Sequence, residues 1–378
     1  MTRAGASSGP SPSAATGSSS QDTPEGRWGL LLINLGTPDS TRIPDVRRYL
    51  REFLSDERVL DISPAKRAFV LNAFILPFRP KQAAKAYEKI WTERGSPLLF
   101  HGHDLVEKVQ KRVGADVPVK LAMRYQTPPI ASVLEQFRKD AIDRIVVVPL
   151  FPQYSSAAWG SAVEKVVVEA AKVWDVPSLQ IVPPFYDHPA FLDAFAAVAQ
   201  PILDDFQPER TLLSFHGLPE RHCQKSDASG GKHCLRSEDC CHQIVAANRN
   251  CYRAQCFATA RGIATRLGLE EEAWTITFQS RLGRDPWIRP YTDEVIVELA
   301  KSGVKRVAVL SPAFVADCLE TLEELAIRAR EDFQEHGGEE LRLIPSLNST
   351  DVWADALVRI VRENSALGAR TATQPRVV

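Results

Sequence analysis

Short apolar runs recur along the chain, and each is followed by a polar turn and then by a helical pattern. The runs are rich in Val, Ile and Leu and mostly do not alternate with polar residues, which is typical of strands buried on both faces of a parallel sheet. Their alternation with helices predicts an α/β fold, and eight runs predict two four-stranded parallel sheets. The runs occupy residues 29–34, 119–123, 144–150, 179–183, 210–215, 274–278, 305–310 and 341–345.

The turns that follow these runs carry side chains suited to a chemical site. Together they supply His, Arg, Tyr, Trp and Glu, in the sequences NLGTP, RYQTP, FPQYSSAAWGS, SFHGLPERH, QSRLGRDPW and SPAFVADCLE. In open α/β sheets, ligands bind beyond the carboxyl ends of the strands. The six turns therefore predict an active-site crevice between two α/β lobes.

The composition excludes several classes of protein. Of the 378 residues, 44% are hydrophobic and 25% are charged, which is ordinary for a globular protein. The formal net charge is −1, so no basic excess points to a nucleic-acid partner. No apolar stretch is as long as the segment of about 18 residues that is needed to span a bilayer. Residues 1–26 are mostly Ser, Gly, Ala, Thr and Pro, which predicts a disordered tail.

Two segments carry groups suited to proton transfer. His216 follows the strand TLLSF and precedes Gly217, where an imidazole could accept protons near neutral pH, or could be a histidine satisfied by a loop carbonyl. The pattern from Val315 to Arg330 predicts a helix with Asp317, Glu320 and Glu324 within about 60° of one another. Carboxylates so close together raise one another's pKa. The alternative, which is favoured for an isolated helix, is an acidic face that is simply exposed to solvent.

Three further features have both a functional and a structural interpretation. Trp287, in a Pro-bounded turn, either packs on a flat ligand or anchors the loop. Arg124, beside Tyr125 at the end of a strand, either clamps a ligand carboxylate or pairs with a structural acid. The apolar stretch at residues 69–80 is a buried helix or an exposed lip, and the residues alone favour the buried helix.

Six of the seven cysteines lie between Cys223 and Cys256. Structural zinc usually shows paired knuckles of closely spaced ligands, and this run has only one comparable gap, at its end. Iron–sulfur sites vary more widely in spacing. An iron–sulfur cluster is therefore the favoured interpretation, with zinc and unligated thiols as the alternatives.

Five sequence blocks, in order along the chain, resemble the signature blocks of the ferrochelatases. They read LLINLGTPDS, FPQYS, SFHGLPERH, FQSRLGRDPWIRPYTDE and PAFVADCLETLEE, and the resemblance runs from about Leu30 to about Arg362. Ferrochelatases are lyases that insert ferrous iron into a porphyrin at the end of haem synthesis. The type that this chain resembles is the bacterial one acting on protoporphyrin IX.

The resemblance implies a fold and a division into domains. The fold is two similar Rossmann-like lobes with a porphyrin cleft between them. The N-terminal lobe would cover residues 27–185 and be completed by a C-terminal helix at about 350–366. The C-terminal lobe would cover residues 186–349 and carry the cysteine-rich insertion at 223–256.

The resemblance also implies roles for individual residues. His216 matches the family's catalytic histidine and Glu320 the glutamate across the cleft; both are treated as iron-site residues, and Glu324 continues the acidic line. His216 is the preferred acceptor of the pyrrole protons, although the opposite assignment remains open. The stretch around Phe69–Phe78 matches the pocket lip, which reverses the preference for a buried helix. The residues implied to contact the porphyrin are Leu35, Arg124, Tyr125 and Trp287.

The cysteines depart from one known arrangement in the family. The chain ends TATQPRVV, and Ser156 stands where members with a C-terminal cysteine cluster carry their remaining cysteine, so we expect no cluster of that type. The insertion looks like that of bacterial members with an internal 2Fe–2S cluster. The expected ligands are Cys234, Cys240, Cys241 and Cys251, and Cys223 or Cys256 could replace one of them.

Alternatives of other classes remain at this stage. The substrate could be coproporphyrin III, or the metal could be cobalt. The chain could also be a porphyrin or haem carrier of the same fold, but retention of both His216 and Glu320 favours an enzyme. We expect a cytoplasmic protein with peripheral membrane contact through the lip, porphyrin and Fe²⁺ as partners, and no nucleic acid. The sequence leaves the oligomeric state open.

Overall fold

Two four-stranded parallel sheets form the centre of the molecule. The computed structural model describes residues 26–367 apart from 282 and 284, so residues 1–25 of the predicted tail lie outside the described part. The strands are β1 Trp28–Gly36, β2 Val119–Tyr125, β3 Arg144–Pro149, β4 Ser178–Ile181, β5 Arg210–His216, β6 Trp274–Gln279, β7 Arg306–Leu310 and β8 Glu340–Leu343. The sheet orders are β2-β1-β3-β4 and β6-β5-β7-β8. Each strand overlaps a predicted run, so the predicted α/β fold is confirmed.

The strands are mostly apolar because both faces of each sheet are covered. In β1, Leu30 and Leu32 point into one hydrophobic core, whereas Leu31 and Ile33 point into another, and all four are fully buried.

A polar residue in the middle of a strand with a core on each side requires a buried hydrogen-bond partner. Ser214 inside β5 donates to Gln279 at 2.7 Å, and Thr277 inside β6 accepts from Thr292 at 2.9 Å. The candidate site residues, in contrast, occur at strand ends.

Helices connect the strands and cover both sheets. Those of the first half are α1 Ile43–Ser55, α2 Pro64–Val70, α3 Arg79–Ile90, α4 Pro97–Val113, α5 Ile130–Lys139 and α6 Ser161–Ala170. Those of the second half are α7 Pro189–Phe206, α8 Glu220–Lys225, α9 Tyr252–Arg266, α10 Thr292–Lys301, α11 Arg330–Glu335 and α12 Asp351–Glu363. Within the described residues, three segments are π-helical: Leu71–Ile75, Ser156–Gly160 and Glu320–Ala329. A short 3₁₀ turn occupies Glu271–Ala273.

The apolar stretch at residues 69–80 is helical but exposed. It spans the end of α2, the π-helical turn after it and the start of α3, and Phe69, Phe74 and Phe78 are 63%, 59% and 71% exposed. The preference for a buried helix was therefore wrong, and the stretch has the exposure expected of a lip. None of the helices in the described part of the chain is long and apolar enough to cross a membrane.

The predicted helix from Val315 to Arg330 is wrong at its beginning and in its type. Residues 315–318 are not helical, and the π-helix runs from Glu320 to Ala329 before α11 continues it. A π-helix closes its hydrogen bonds from i to i+5, so side-chain positions calculated for 3.6 residues per turn do not apply. Asp317 consequently lies before the helix and not on its acidic face.

The C-terminal helix α12 packs on α4 of the first half and on α7, which leads to the second sheet. Its Trp353 is fully buried, with its ring 6.0 Å from that of Phe185 and 6.2 Å from that of Phe191. Arg112 of α4 pairs with Asp355 of α12 at 2.6 Å. On these contacts we propose the division expected above, with α12 completing a first lobe at 27–185 and a second lobe at 186–349.

Candidate active site

The candidate site lies at the carboxyl ends of β5 and β6. His216 is the last residue of β5 and pairs in register with Gln279, the last residue of β6. The backbone of Gly217 then donates to the Gln279 carbonyl at 2.7 Å. A Cβ at Gly217 would lie 2.9 Å from that carbonyl oxygen and 3.1 Å from Cε3 of Trp287. Glycine is therefore required for the indole to pack this close to the strand end.

The ring of His216 is oriented by the backbone and by aromatic neighbours. Its Nδ1 lies 2.6 Å from the carbonyl oxygen of Gly217. A carbonyl oxygen only accepts, so Nδ1 is the protonated nitrogen of the neutral ring and Nε2 keeps its lone pair. The ring centroid lies 6.3 Å from those of both Trp287 and Phe314. A histidine with one nitrogen fixed by the backbone and a lone pair on the other is suited to accept a proton.

Glu324 faces His216 from the π-helix. The Ser280 amide donates to Glu324 Oε1 at 2.9 Å, and the Ser280 hydroxyl donates to Oε2. Ser280 has φ of 68°, in the left-handed region that non-glycine residues seldom enter, and in this conformation both its donors reach the carboxylate. Burial raises the pKa of Glu324, and the charge of Glu320 adds to this. The Ser280 hydrogen bond, His216 and Arg328 act in the opposite direction.

Glu320 begins the π-helix beside two buried phenols. Its backbone carbonyl accepts from Gln279 Nε2 at 2.9 Å, which ties the helix to the end of β6. Burial raises the pKa of Tyr49 and of Tyr87 well above the ordinary value, and the Glu320 carboxylate raises both further. The phenols therefore stay protonated beside Glu320. The structure brings this glutamate and Glu324 to the same strand end as His216.

Asp317 does not belong to this acidic group. Its Oδ2 accepts from the Asn348 side chain at 2.7 Å, and its Oδ1 accepts from Thr321 at 2.9 Å and from the Ser346 amide at 3.3 Å. The residue is 6% exposed. The expected face of three carboxylates is thus reduced to two, and Asp317 anchors the loop after β8.

Glu323 also has a structural role. It is 5% exposed and pairs with Lys89 of α3 at 3.2 Å and with Arg328 at 2.7 Å. The Lys89 pair joins the π-helix to α3, whereas the Arg328 pair lies within the π-helix.

Arg124 and Tyr125 belong to a buried polar network around Asp56. The Arg124 guanidinium donates to Ser161 Oγ at 2.6 Å and pairs with Asp56 at 2.7 Å. The Tyr125 hydroxyl donates to the same Asp56 oxygen at 2.8 Å, and the residue has no exposed surface. Burial raises the pKa of Tyr125. Contact of either side chain with a porphyrin stays a prediction. The structure contains the alternative for Arg124, which is an ion pair with a structural acid, Asp56.

Leu35 lies apart from His216 on the other sheet. It is the penultimate residue of β1 and half-buried, and its amide donates to the side-chain oxygen of Asn34 at 2.8 Å. Sequence reasoning missed Gln279 and Ser280, which join β6 to the π-helix, and it missed Phe314. All three lie in the sequence motifs given above, but a motif does not indicate which of its residues will contact the π-helix or His216.

Comparison with known proteins decides the family. The ferrochelatase family model matches residues 27–365. The chain belongs to the ferrochelatase family. A ferrochelatase of Legionella pneumophila (strain Lens) is 46% identical over 338 residues, covering 89% of this chain and 99% of the relative. One of Coxiella burnetii (strain Dugway 5J108-111) is 44% identical over 339 residues, covering 90% and 94%.

A solved structure agrees with the fold. The sirohydrochlorin chelatase SirB from Bacillus subtilis subspecies spizizenii, in complex with cobalt, has a TM-score of 0.50 at 12% identity, covering 89% of this chain and 95% of that chain. The ferrochelatase relatives give the reaction, which is the lyase reaction that inserts iron into a porphyrin in haem synthesis. The prediction of a ferrochelatase is confirmed, and the enzyme is supported over the carrier.

This ferrochelatase has all its cysteines buried, six of them in or beside the insertion. The Sγ atoms of Cys240 and Cys241 are 3.7 Å apart, and Arg253 donates to Cys241 Sγ at 3.1 Å. A hydrogen bond with Cys223 and burial raise the pKa of Cys251 to about 12, against an opposing hydrogen bond with Cys241. Among residues 26–281, 283 and 285–367, no three or more His, Cys, Asp or Glu side chains are arranged to hold a metal ion.

Proposed function

We propose that this ferrochelatase inserts Fe²⁺ into protoporphyrin IX, with His216 accepting the pyrrole protons and Glu320 receiving iron. The observation that carries the proposal is the hydrogen bond from His216 Nδ1 to the Gly217 carbonyl, since it leaves the lone pair on Nε2, at the strand end that Glu320 and Glu324 also reach. Support for protoporphyrin as the substrate comes from the resemblance of the five sequence blocks to the bacterial protoporphyrin type.

Removal of the porphyrin protons is assigned to His216 and Glu324. A porphyrin carries two N–H protons where the metal must enter, so each turnover must remove both. His216 accepts a proton at Nε2, and the imidazolium is stabilised by the nearby Glu324 carboxylate. Because burial raises the pKa of Glu324, this carboxyl exchanges protons at a higher pH than an exposed one. Glu324 is therefore the proposed relay between His216 and solvent.

The iron substrate is assigned to Glu320 with His216. Carboxylate oxygen and imidazole nitrogen are both ligands that Fe²⁺ accepts. Trp287 packs by the macrocycle on the His216 side, and Leu35, Arg124 and Tyr125 are proposed to line the opposite side of the cleft. This arrangement would place the ring between the carboxyl ends of the two sheets.

An anaerobic metal-insertion assay with two porphyrins tests the substrate. Protoporphyrin IX should be converted to protohaem at a higher kcat/KM than coproporphyrin III is converted to its iron complex. A higher kcat/KM for coproporphyrin III would mean that the proposed reaction is right and that its substrate is coproporphyrin III. Insertion into neither would contradict the proposed function.

We also propose that the insertion holds a 2Fe–2S cluster, with Cys234, Cys240, Cys241 and Cys251 as ligands. The donor chemistry fits, since the thiols are buried together and Arg253 supplies a compensating charge at Cys241. Sulfur atoms 3.7 Å apart are also at about the spacing of two ligands on one tetrahedral metal with bonds near 2.3 Å. The side chains would have to rotate to complete the set. When bound, the cluster would supply rigidity to the insertion.

The cellular location is proposed to be the cytoplasm, with reversible contact of the lip with the membrane. Three phenylalanines of the lip are more than half exposed, and Arg79 lies at its edge. A small apolar patch with flanking basic residues gives marginal, reversible membrane binding. The porphyrin is poorly soluble, so such contact would bring the cleft close to its substrate.

A further inference from the structure

Gln279, the last residue of β6, contacts both sides of the candidate active site. It pairs in register with His216, and its backbone carbonyl accepts from the Gly217 amide at 2.7 Å. Its side-chain Nε2 donates to the backbone carbonyl of Glu320 at 2.9 Å. Because His216 Nδ1 lies 2.6 Å from the Gly217 carbonyl, three consecutive hydrogen bonds lead from the proposed proton acceptor to the residue proposed to receive iron.

The Gln279 amide is held in one orientation by a buried partner on β5. Ser214 has no exposed surface and donates its hydroxyl to Gln279 Oε1 at 2.7 Å, and this hydroxyl also lies 2.9 Å from that of Thr292. A carbonyl only accepts, so the amide nitrogen must face Glu320 and the amide oxygen must face Ser214. Gln279 is 4% exposed, so a rotation that broke these bonds would leave buried polar groups without their partners.

The position of Glu320 depends on such a contact because this residue begins the π-helix Glu320–Ala329. Helix ends are the parts that fray, and the bond from Gln279 attaches the first residue of this helix to the sheet. At the next turn, the amide of Ser280 donates to Glu324 at 2.9 Å. Two consecutive residues at the end of β6 therefore determine where the π-helix lies relative to the strand ends.

We propose that Gln279 is a positioning residue of the iron-insertion reaction, which sets the distance between Glu320 and His216. The inference rests on the proposed function, in which these two residues receive iron and accept protons. Gln279 acts through Glu320, because its side-chain polar atoms are bonded to Ser214 and to the Glu320 backbone. A misplacement of about 1 Å can cost about 100-fold in rate, so a residue that fixes this distance affects turnover without contact with the substrate.

The kinetics of Gln279→Met in the full chain test this role. Methionine keeps the length of the side chain and removes both of its hydrogen bonds. We expect kcat/KM for Fe²⁺ to fall about tenfold in the anaerobic assay, as for loss of a positioning hydrogen bond. The dissociation constant of metal-free protoporphyrin IX, measured by fluorescence quenching, should stay within about twofold of wild type because the apolar walls of the cleft are unchanged.

A double-mutant cycle with Glu320→Gln separates positioning from a general effect on the fold. If Gln279 acts through the Glu320 carboxylate, Gln279→Met should cost about tenfold in wild type and less than about twofold in Glu320→Gln, which has no carboxylate left to position. A substitution that only loosened the fold would lower kcat/KM for Fe²⁺ by the same factor in both backgrounds.

Ser214→Ala serves as the second variant if Gln279→Met does not fold. It leaves the glutamine in place and removes the hydrogen bond that orients the glutamine amide. The expected loss in kcat/KM for Fe²⁺ is smaller, about threefold, because the bond to Glu320 can still form. This loss should also disappear in the Glu320→Gln background.

The matched control is Gln255→Met. Gln255 of α9 is 2% exposed, its Oε1 accepts from the Tyr154 amide at 2.6 Å, and its Nε2 donates to the Arg249 carbonyl at 2.7 Å. Both substitutions therefore remove, from a buried glutamine, one bond accepted at Oε1 and one bond donated to a backbone carbonyl. The control should lower the melting temperature as Gln279→Met does and keep the wild-type kcat/KM for Fe²⁺.

Three results would overturn the inference. In the first, Gln279→Met and Ser214→Ala lower the melting temperature and keep the wild-type kcat/KM, which makes Gln279 structural only. In the second, the loss is as large in Glu320→Gln as in wild type. In the third, protoporphyrin binding weakens by the same factor as kcat/KM, so Gln279 shapes the porphyrin pocket. Failure of the proposed function would differ, because wild type would then insert no iron or Glu320→Gln alone would keep full activity, and the inference would fall with it.

Discussion

At His216, the backbone decides which ring nitrogen is available to accept a proton. The sequence allowed two interpretations, a proton acceptor or a histidine satisfied by a loop carbonyl. The structure contains the carbonyl bond, from Nδ1 to Gly217 at 2.6 Å, but a ring has two nitrogens. The bond satisfies one nitrogen and orients the other, so the structural contact supports the proposed role.

Removal of the His216 ring should stop catalysis and spare binding. His216→Ala deletes the proposed proton acceptor, and loss of a positioned base costs about 10²–10⁴ in rate. Porphyrin binding, measured by fluorescence quenching, should remain because the apolar walls are intact. The control is His103→Ala, which changes an exposed histidine of α4. Wild-type turnover by His216→Ala in the anaerobic assay would make the histidine structural only.

The nearby Glu323 is not a suitable control for a substitution of Glu320. Glu320→Gln keeps the shape and removes the charge, so it should lower kcat/KM for iron by at least tenfold if the carboxylate receives the metal. Glu323→Gln is unsuitable as a comparison, because Glu323 is buried in ion pairs with Lys89 and Arg328. Glu331→Gln, on the exposed face of α11, removes one charge without a partner in the site. Equal losses in Glu320→Gln and Glu331→Gln would indicate that activity depends on the overall negative charge and not on a specific carboxylate.

At the scale of elements, the strands could be predicted and the helix of the active site could not. The apolar segments 30–33 and 145–150 are continuous because each strand is covered on two faces, and this pattern is visible in the sequence. The π-helix at Glu320–Ala329 leaves no such trace, since α and π turns use the same residue types. Its start was therefore placed too early, and Asp317 was grouped with the wrong carboxylates.

The cysteine-rich insertion is organised by two polar side chains as well as by its thiols. Asp227 accepts from the amides of His233 and Cys234, and the buried Asn248 donates to the Cys240 carbonyl at 2.9 Å. These bonds form a frame that does not depend on a metal. A cluster would add to this frame, because buried protonated thiols contribute little more than packing.

Cys251→Ser should therefore remove colour and part of the stability together. Protein purified without oxygen should be reddish-brown, contain acid-labile sulfide and bleach with dithionite, if the proposed cluster is present. Cys251→Ser should lose the colour and unfold at a lower temperature, whereas His216→Ala should keep both. Colourless wild-type protein with stoichiometric zinc would contradict the cluster and leave the family assignment unchanged.

The lip gives a prediction that is independent of the chemistry. Phe74→Asp with Phe78→Asp places two charges on residues that are 59% and 71% exposed, so the fold should tolerate them. Cosedimentation with anionic liposomes should fall several-fold because the apolar contact is lost. The control is Val167→Asp with Val168→Asp, at 46% and 50% exposure on α6. Unchanged cosedimentation of the lip variant would place the membrane contact elsewhere.

At the scale of the whole molecule, the similarity of the two sheets could be predicted but their joining could not. The orders β2-β1-β3-β4 and β6-β5-β7-β8 repeat one pattern, as eight similar runs suggest. The contacts across the molecule depend on single side chains such as Arg112 and Trp353, which look ordinary in the sequence. Long-range pairing of this kind has no local signal, and only the family resemblance indicated that the last helix returns to the first lobe.

Trp353 tests whether the two halves unfold together. Its ring packs on Phe185, before α7, and on Phe191, within α7, while α12 also packs on α4. Trp353→Ala leaves a cavity at this junction and should lower the free energy of unfolding by about 3–5 kcal/mol. Trp353→Phe should cost less than about 1.5 kcal/mol, because it keeps a ring and removes an indole N–H that has no partner in the described part of the chain.

Urea unfolding followed by circular dichroism and by fluorescence separates the outcomes. If α12 joins both halves, Trp353→Ala should shift one coincident transition seen by both probes, since the contacts on α4 and on α7 are weakened at once. Two transitions of which only one moves would mean that α12 stabilises a single lobe and does not join the two halves. A loss in Trp353→Phe as large as in Trp353→Ala would show that the junction requires the full indole ring and not only an aromatic group.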